Sequence, residues 1–515
     1  MKLFFLFILT FFVLPVFPQE KQMESQEVKK VIKEQYKMLT NVPYVNLDSP
    51  MKEEDFQGRL ILLDFWTYCC INCLHAMEDL KDMEKEFGDK LLVIGVHSGK
   101  FDTEKDTDQI RLAVEKYDIH HPVANDYEFL LFRYFGAKAW PTFILLGPDG
   151  EIIKETIGEN VKRDMGPAIR EFLNSKDNKI LNHSIKTGSY RKTELSLRFP
   201  GKIHVDEAGV IVSDTENHRI VIFDHNGNET LRIGSGLPGF EDGSLSHARF
   251  RSPQGITRKG HLLYVADTGN HSIRLVNLQE KIVHTLYGTG IKSSLSYWDH
   301  IFTNELNSPW DVEFQNNDLM IAMAGSHQIY KINHAGKLEH VAGSGLENIL
   351  DDSTDQSALA QTSGLSVFNN VLYFIDSETS SLRLIKEDRI KTLAGTGLFQ
   401  FGLKDGLFPE SKMQHPLGLY AGETYIYIAD TYNHAIRRYN RKTGILSTLA
   451  GGKKGKRDGS FKNALFNEPN DVFLYKDNLY VTDTNNHNIR IMDLKQQTVK
   501  TFLVKFNKKI EVNDQ

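Results

Sequence analysis

The segment Leu63–Cys73 reads LDFWTYCCINC, and its sequence decides the fold of the first part of the chain. It continues an apolar run from Arg59 that has the length and composition of a buried strand. The residues that follow, Leu74–Phe87, have the spacing and charge of a helix, so the segment forms a strand-to-helix junction. All three cysteines of the 515-residue chain lie in the last five positions of this segment. Because none remains for structural disulfides elsewhere, the cluster indicates a reactive site.

Cys70 and Cys73 form a C-x-x-C motif at the start of the predicted helix. The first N–H groups of a helix, and its positive potential, stabilise a thiolate there. We therefore expect Cys70 to be the more exposed thiol and the nucleophile. Cys73 lies one turn further on, close enough to resolve a mixed disulfide.

Strand and helix patterns alternate between about residues 41 and 174. After the junction come a second buried strand at Leu91–Val96, a helical stretch at Ile110–Tyr117 and a further strand at Pro141–Leu146. Val161–Leu173 has the pattern of a closing helix. Such alternation predicts an α/β domain with a central sheet covered by helices.

This part of the chain resembles the thioredoxin-like fold. Residues 63–66 match that family's V-D-F-W strand, and the Trp-Pro-Thr at 140–142 matches the loop whose cis-proline faces the C-x-x-C motif. The resemblance implies that Asp64 shuttles a proton to the second cysteine and that Pro141 presents backbone to a substrate strand. Cys69 stands where thioredoxins usually have tryptophan, and Ile-Asn replaces their Gly-Pro, which leaves the redox potential open.

From about residue 182 onward, short strands and glycine-rich turns replace this pattern, and one phrase recurs. Val265–Arg274 reads VADTGNHSIR, and it has three further close copies and two degenerate ones. The aligned aspartate position falls at Asp214, Asp267, Met323, Asp376, Asp430 and Asp483, in steps of 53, 56, 53, 54 and 53 residues. Each repeat has room for about four short strands, which make one propeller blade. Six blades that cannot bury their faces alone are expected to close into a ring.

The repeat resembles the NHL-repeat propellers, whose phrase has the shape P-x-G-(I/V)…(L/V)-Y-V-A-D-T-x-N. Over about residues 41–504, the combination of this propeller with a Cys-Cys-Ile-Asn-Cys motif resembles the NHL-repeat-containing protein 2 family. The resemblance implies an α/β thioredoxin-like domain followed by an all-β six-bladed NHL β-propeller. Animal members carry a further C-terminal β domain, which we expect this chain to lack. The match predicts architecture more than activity.

Six segments are predicted along the chain. They are a signal peptide at 1–19, a helical or flexible leader at 20–40, the thioredoxin-like domain at 41–174, a linker at 175–198, the propeller at 199–504 and a tail at 505–515. The linker is polar and short. Its residues 192–197 would close the ring by adding an outer strand to the last blade, which removes an open sheet edge.

Residues 1–19 begin with a positive charge and continue as an apolar run. This run is too short to cross a bilayer, which takes about 20 residues, and it fits a secretory signal peptide. We therefore expect an exported protein, periplasmic or extracellular, with no integral membrane segment after signal removal; an uncleaved anchor is the alternative. The net charge of −6 argues against nucleic-acid binding.

Two metal interpretations of these motifs compete with simpler ones. The repeated Asp-Thr-x-Asn-His phrases have residue types found in zinc sites, but Asp, Asn and Thr commonly satisfy turn backbone groups, which favours a structural turn. Cys69 and Cys73 also form a C-x-x-x-C pair that suits Cu(I), with His120 or His121 as a third ligand. A half-buried thiol at Cys69, which fills the position of the thioredoxin tryptophan, is the favoured interpretation. We expect neither a metal nor a cofactor.

The sequence thus predicts a thiol–disulfide oxidoreductase that acts on a protein disulfide substrate. Its predicted catalytic residues are Cys70, Cys73, Asp64 and Pro141, and the propeller would recruit or orient a protein partner. The alternative is a non-catalytic scaffold that binds protein or glycan and carries an inert thioredoxin-like cap. The redox potential of the C-x-x-C pair discriminates between the two.

Overall fold

The computed structural model describes residues 34–175, 179–188, 196–293 and 304–507, which form two compact units. The first unit comprises the described residues up to Trp66, together with His75–Ser98 and 119–188. The second comprises Thr67–Leu74, Gly99–Asp118 and the described residues from 196 onward. The cysteine-bearing segment therefore belongs to the same compact unit as the repeats. Among the described residues, no helix combines the length and the apolar content needed to cross a bilayer.

The first unit is built on a five-stranded sheet. In sheet order its strands are Val123–Asn125, Leu91–His97, Leu60–Trp66, Thr142–Leu146 and Ile152–Ile157. The first three are parallel to one another, and the last two pair antiparallel. Leu60–Trp66 and Leu91–His97 are buried at every position, as expected of parallel strands covered on both faces.

Four α-helices accompany these strands along the chain. They are Ile71–Phe87, Thr107–Lys116, Leu130–Tyr134 and Val161–Asn174. Asp106 begins the second of them as an N-cap, because its side chain accepts the backbone N–H groups of Asp108 and Gln109. This alternation of strands and helices confirms the predicted α/β class.

The packed first unit extends beyond the predicted domain at both ends. Residues 34–40 are helical and place Tyr36, 2% exposed, in the hydrophobic core. At the other end, residues 179–188 lie against the same unit, where the Leu181 N–H donates to the Gly58 carbonyl at 2.7 Å. The described part of the polar segment after the last helix is therefore held by backbone hydrogen bonds.

The second unit contains six antiparallel sheets, numbered here as blades 1 to 6, each built mainly from four consecutive strands. Blades 1 and 2 comprise Ile203–Asp206, Gly209–Asp214, Arg219–Phe223 and Glu229–Ile233, then Gly243–Ser244, Ile256–Lys259, Leu262–Asp267, Ser272–Asn277 and Ile282–Tyr287. Blades 3 and 4 comprise Pro309–Gln315, Asp318–Met323, Gln328–Ile332 and Leu338–Ala342, then Thr362–Phe368, Val371–Asp376, Ser381–Lys386 and Arg389–Ala394. Blades 5 and 6 comprise Gly418–Ala421, Tyr425–Asp430, Ala435–Asn440 and Leu446–Gly451, then Gly459–Ser460, Pro469–Tyr475, Asn478–Asp483, Asn488–Asp493 and Thr498–Phe502. The predicted six-bladed propeller is confirmed.

The repeated aspartate is a buried structural anchor at the end of the second strand of a blade, when only the four long strands are counted and the short strands Gly243–Ser244 and Gly459–Ser460 are set aside. In four blades it pairs with an arginine seven residues further on, and both side chains of each pair are 0% exposed. The pairs are Asp267–Arg274 at 2.8 Å, Asp376–Arg383 at 2.9 Å, Asp430–Arg437 at 2.6 Å and Asp483–Arg490 at 2.7 Å. Blade 3 replaces the aspartate with Met323 and has Tyr330 seven residues later. Each buried aspartate in these four blades is therefore paired with a buried arginine, because an unpaired buried charge would destabilise the fold.

A second repeated contact joins each blade to the next. The turn after the second strand ends in a residue with left-handed φ, and its side chain accepts a backbone N–H from the residue that leads into the following blade. These bonds join His218 to Ser252 at 3.2 Å, His271 to Ser308 at 3.0 Å, His327 to Gln361 at 2.9 Å, Ser380 to His415 at 3.1 Å, His434 to Glu468 at 3.1 Å and His487 to Phe199 at 3.1 Å. The last of them links blade 6 to the start of blade 1 and so helps to close the ring. We call the six N–H donors, Phe199, Ser252, Ser308, Gln361, His415 and Glu468, the entry residues.

The repeated Asp-Thr-x-Asn-His phrase thus supplies turn and inter-blade hydrogen bonds, as in the favoured interpretation. The predicted ring-closing strand lies largely outside the described residues, since 189–195 are not among them. Within the described chain, Thr498–Phe502 is the fourth long strand of blade 6, and the two-residue strand Gly459–Ser460 pairs with its outer edge.

Candidate functional site

Cys70 and Cys73 lie together at the start of the helix Ile71–Phe87. The Cys73 N–H donates to the Cys70 sulfur at 3.4 Å. Cys70 is half-buried, whereas Cys73 is 1% exposed. A backbone N–H directed at a sulfur stabilises its thiolate form. The geometry therefore suits an accessible nucleophile at Cys70 and a shielded second thiol one turn away.

Cys69 is held in a different environment from its neighbour. It is 3% exposed, and its backbone N–H donates to the Glu104 carboxylate at 2.8 Å. The same carboxylate accepts the Phe101 N–H at 2.9 Å through its other oxygen. Burial, together with the Glu104 and Glu378 carboxylates, raises the pKa of the Cys69 thiol well above its usual value. Cys69 is therefore a protonated thiol that is more deeply buried than the half-buried thiol expected from the sequence.

Residues of the repeats contact this cysteine-bearing segment within the second unit. The Gln361 side chain donates to the Cys69 carbonyl at 2.9 Å and accepts the Ile71 N–H at 3.0 Å. The Tyr68 hydroxyl donates to the Glu468 carboxylate at 3.0 Å. Burial raises the pKa of Glu468 to about 6. Two entry residues thus hold the segment through hydrogen bonds.

Neither of these two contacts was predicted from the sequence. One signal was available, because the entry position carries long polar side chains in blades 4, 5 and 6 but serine in blades 2 and 3. A difference of this kind within a repeat indicates a position whose side chain does more than hold the blade. What the sequence could not supply was the partner, since Cys69 and Gln361 are 292 positions apart.

A buried charged group lies near the segment. Lys100 forms an ion pair with Glu378, with each side chain 6% exposed. The His415 Nδ1 lies 3.5 Å from the other oxygen of Glu378. Burial lowers the pKa of His415 to about 4, despite the opposing influence of Glu378, so this histidine is neutral at pH 7. The group therefore presents one ion pair and a neutral imidazole.

Asp64 and Pro141 lie in the first unit, whereas the three cysteines lie in the second. Asp64 is 1% exposed, and neither carboxyl oxygen has a hydrogen-bond partner among the described residues. Burial raises the pKa of Asp64 to about 7, with His121 acting in the opposite direction. Asp64 pairs in register with Phe143, two positions after Pro141, and the Trp140–Pro141 bond is cis. A carboxyl group that titrates near pH 7 can both accept and release a proton at neutral pH.

The copper interpretation finds no assembled ligand set in the described chain. Among those residues, no group of three or more His, Cys, Asp and Glu side chains is arranged to hold a metal ion. His121 lies instead in the first unit, with its Nδ1 3.4 Å from the Glu84 carboxylate.

Comparison with known proteins extends these observations. Residues 58–152 match the family model described as thioredoxin-like. A chloroplastic protein of Arabidopsis thaliana, SUPPRESSOR OF QUENCHING 1, is 40% identical over 471 residues, which cover 85% of this chain and 45% of that protein. The thiol-disulfide oxidoreductase ResA of Bacillus thuringiensis subsp. konkukian is 28% identical over 119 residues, covering 23% of this chain and 66% of that protein.

The similarity to one group of relatives spans both units. NHL repeat-containing protein 2 of Bos taurus is 37% identical over 509 residues, which cover 90% of this chain and 70% of that protein. The match to the plant protein, by contrast, spans less than half of that protein's length. The chain belongs to the NHL repeat-containing protein 2 family.

Proposed function

We propose that this protein is an exported thiol–disulfide oxidoreductase whose propeller recruits or orients a protein partner. The observation that carries the proposal is the geometry of the C-x-x-C pair. A half-buried Cys70 receives the Cys73 N–H at 3.4 Å, and Cys73 is 1% exposed one turn further on. A scaffold has no need of a thiolate-stabilising donor at an accessible sulfur.

The proposed exchange has two steps. The Cys70 thiolate attacks one sulfur of a substrate disulfide, forming a mixed disulfide, and the displaced substrate thiolate takes a proton from water. Asp64 then accepts the Cys73 proton, and the Cys73 thiolate attacks the Cys70 sulfur and releases the second substrate thiolate, which takes up that proton as Asp64 returns to its carboxylate form. Two electrons pass to the substrate, which ends as two thiols, while Cys70 and Cys73 end as a disulfide. The reverse sequence oxidises the substrate, and the potential decides the direction.

Three further roles complete the proposal. Pro141 would present its neighbouring backbone to an extended substrate strand, as the resemblance implies. Residues 1–19 would direct export, which suits this chemistry because disulfides persist in oxidising compartments. The propeller would supply the partner-binding surface, since loops at one face of a closed ring converge on a shared area.

The redox potential of the cysteine pair tests the function. In glutathione buffers, we expect Cys70 and Cys73 to form and break one disulfide in a two-electron transition, at a potential of about −120 to −270 mV as in known catalysts of exchange. The state of the pair is read by trapping thiols and measuring mass. Cys69→Ser is the matched control and should keep the transition, because Cys69 is buried and has a raised pKa. A pair that never oxidises, or one that resists reduction below about −300 mV, would support the scaffold instead.

Asp64→Asn should slow exchange while stabilising the fold. Removing the proposed base should slow the resolving step by about 10²-fold, the lower range for acid–base catalysis. In the wild type this step should accelerate as pH rises through about 7, where Asp64 ionises, and the variant should lose that rise. Stopped-flow mixing with a mixed-disulfide substrate measures the rate of the resolving step at each pH.

The stability of the wild-type fold should respond to pH in the opposite sense to the exchange rate, falling as the pH rises. The folded pKa of Asp64 is raised to about 7 from 3.8, so the contribution of the protonated group to stability declines as pH rises from about 4 to 7. The asparagine stays neutral, and its advantage in melting temperature should therefore be larger at pH 8 than at pH 5. An Asn variant that retains the wild-type rate and pH profile would remove Asp64 from the mechanism.

A further inference from the structure

One side chain of the propeller holds both peptide groups that flank Cys70. Gln361 Nε2 donates to the Cys69 carbonyl at 2.9 Å, and Gln361 Oε1 accepts the Ile71 N–H at 3.0 Å. Gln361 is 4% exposed, so water competes little for either bond. A single amide thus fixes the backbone immediately before and after Cys70.

The position of this amide is set by the blade itself. Gln361 is the entry residue of blade 4, and its φ of 59° lies in the left-handed region that few non-glycine residues adopt. Its own N–H donates to His327 Nδ1 at 2.9 Å, which helps to hold that backbone conformation. The other entry residues share this conformation, with φ between 44° and 51°. The repeat therefore supplies a rigid base, and the glutamine side chain at blade 4 is what reaches the cysteine segment.

These two hydrogen bonds, called the Gln361 bracket below, occupy one N–H group at the start of the helix. Ile71 is the first residue of the helix Ile71–Phe87, and its N–H has no partner within that helix. Such N–H groups are the ones that stabilise an anion at a helix start. Here the Gln361 oxygen accepts it, while the Cys73 N–H still donates to the Cys70 sulfur. The Gln361 oxygen therefore offsets part of the positive potential that this helix start offers to the Cys70 sulfur.

We propose that Gln361 is a positioning residue of the thiol site, which fixes the Cys70 backbone and offsets part of the positive potential of the helix start beside the Cys70 thiolate. The inference rests on the proposed function for its relevance to catalysis. The propeller then tunes the cysteine pair as well as binding a partner. In this chain, the reactivity of Cys70 is set partly by a residue 291 positions away in the sequence.

Three variants at one position test the bracket by the sign of their effects. Gln361→Ala frees the Ile71 N–H and restores positive potential at the helix start, so Cys70 should react with iodoacetamide up to about tenfold faster at neutral pH. Gln361→Asn is one methylene shorter and cannot span both bonds, so it should act like alanine. Gln361→Glu keeps the acceptor but adds a negative charge beside Cys70, so the reaction should be slower than in the wild type.

The measurement is the pH dependence of iodoacetamide alkylation in the full-length chain. All variants carry Cys69→Ser and Cys73→Ser, so that the reagent reports on Cys70 alone. Ser252→Ala changes the entry residue of blade 2 and serves as the control, with no expected shift. In chains that retain Cys73, Gln361→Ala should move the dithiol–disulfide equilibrium several-fold toward the dithiol, and a tenfold change corresponds to about 30 mV.

The outcomes separate this inference from the proposed function. Opposite shifts for Gln361→Ala and Gln361→Glu support the bracket, even if the pair shows no catalytic potential. Unchanged profiles, or shifts of one sign that follow the loss of melting temperature, overturn the bracket even if the protein is an active oxidoreductase. Should Gln361→Ala fail to fold, Gln361→Asn carries the same expectation and Gln361→Glu the opposite one. Should Gln361→Glu fail to fold, unchanged profiles for Gln361→Ala and Gln361→Asn would still overturn the bracket.

Discussion

Cys70→Ser is expected to abolish thiol–disulfide exchange, and Cys73→Ser is expected to accumulate mixed disulfides through Cys70. The half-buried Cys70 is the accessible sulfur of the pair, and serine at this position cannot form the covalent intermediate. Without Cys73, the intermediate has no resolving thiol and persists. Insulin reduction, and capture of disulfide-linked partners on non-reducing gels, measure the two effects.

Cys69→Ser is the matched control for both variants, since it removes an adjacent cysteine that is 3% exposed. It should retain exchange and should trap nothing. If Cys70→Ser keeps the wild-type rate, the nucleophile has been assigned wrongly. If Cys73→Ser traps no protein and the wild type exchanges no test disulfide, the chain is better described as a scaffold.

The repeats were the most predictable part of the molecule. The aspartate position returns every 53 to 56 residues, and each copy proved to end the second strand of a blade. The degenerate copy at Met323 was still recognisable, because the spacing and the apolar strand pattern survive the loss of the charge. The sequence period predicts the propeller because every blade packs against its neighbours in the same way.

The site was predictable only in its local parts. The C-x-x-C motif and the strand before it predicted where Cys70 and Cys73 lie, since both depend on a helix start within a few residues. The bonds from Gln361 and Glu468 were not predictable, because no local pattern records which distant side chain reaches a given loop. The same limit applies to residues 179–188, whose polar sequence resembles a linker but whose backbone pairs with the first unit.

Asp430→Ala is expected to cause a large loss of stability in the propeller. Asp430 and Arg437 are both 0% exposed and lie 2.6 Å apart. Asp430 also accepts the Gln414 N–H at 2.8 Å and the Asn433 amide at 2.8 Å. Removing one partner of a buried ion pair leaves an uncompensated charge and costs about 3–5 kcal/mol. Urea denaturation followed by circular dichroism measures the free energy of unfolding.

Asp405→Ala provides a control on the same arginine. Asp405 contacts Arg437 at 2.8 Å, but its side chain is 51% exposed, so water can replace it and the loss should be clearly smaller. Equal losses for the two variants would show that burial of the pair is not what determines the effect.

Blade 3 indicates a pair of substitutions that should restore part of the stability lost in Asp430→Ala. Blade 3 places Met323 and Tyr330 where blade 5 has Asp430 and Arg437, and both blade 3 side chains are 2% exposed. The double variant Asp430→Met with Arg437→Tyr removes both charges and supplies apolar volume to the space. It should therefore unfold at higher urea concentration than Asp430→Ala alone, because replacing a whole buried pair with packed residues costs less than orphaning one charge. A double variant less stable than the single one would mean that the surrounding carbonyl groups, at Lys412 and Lys404, require the arginine itself as their donor.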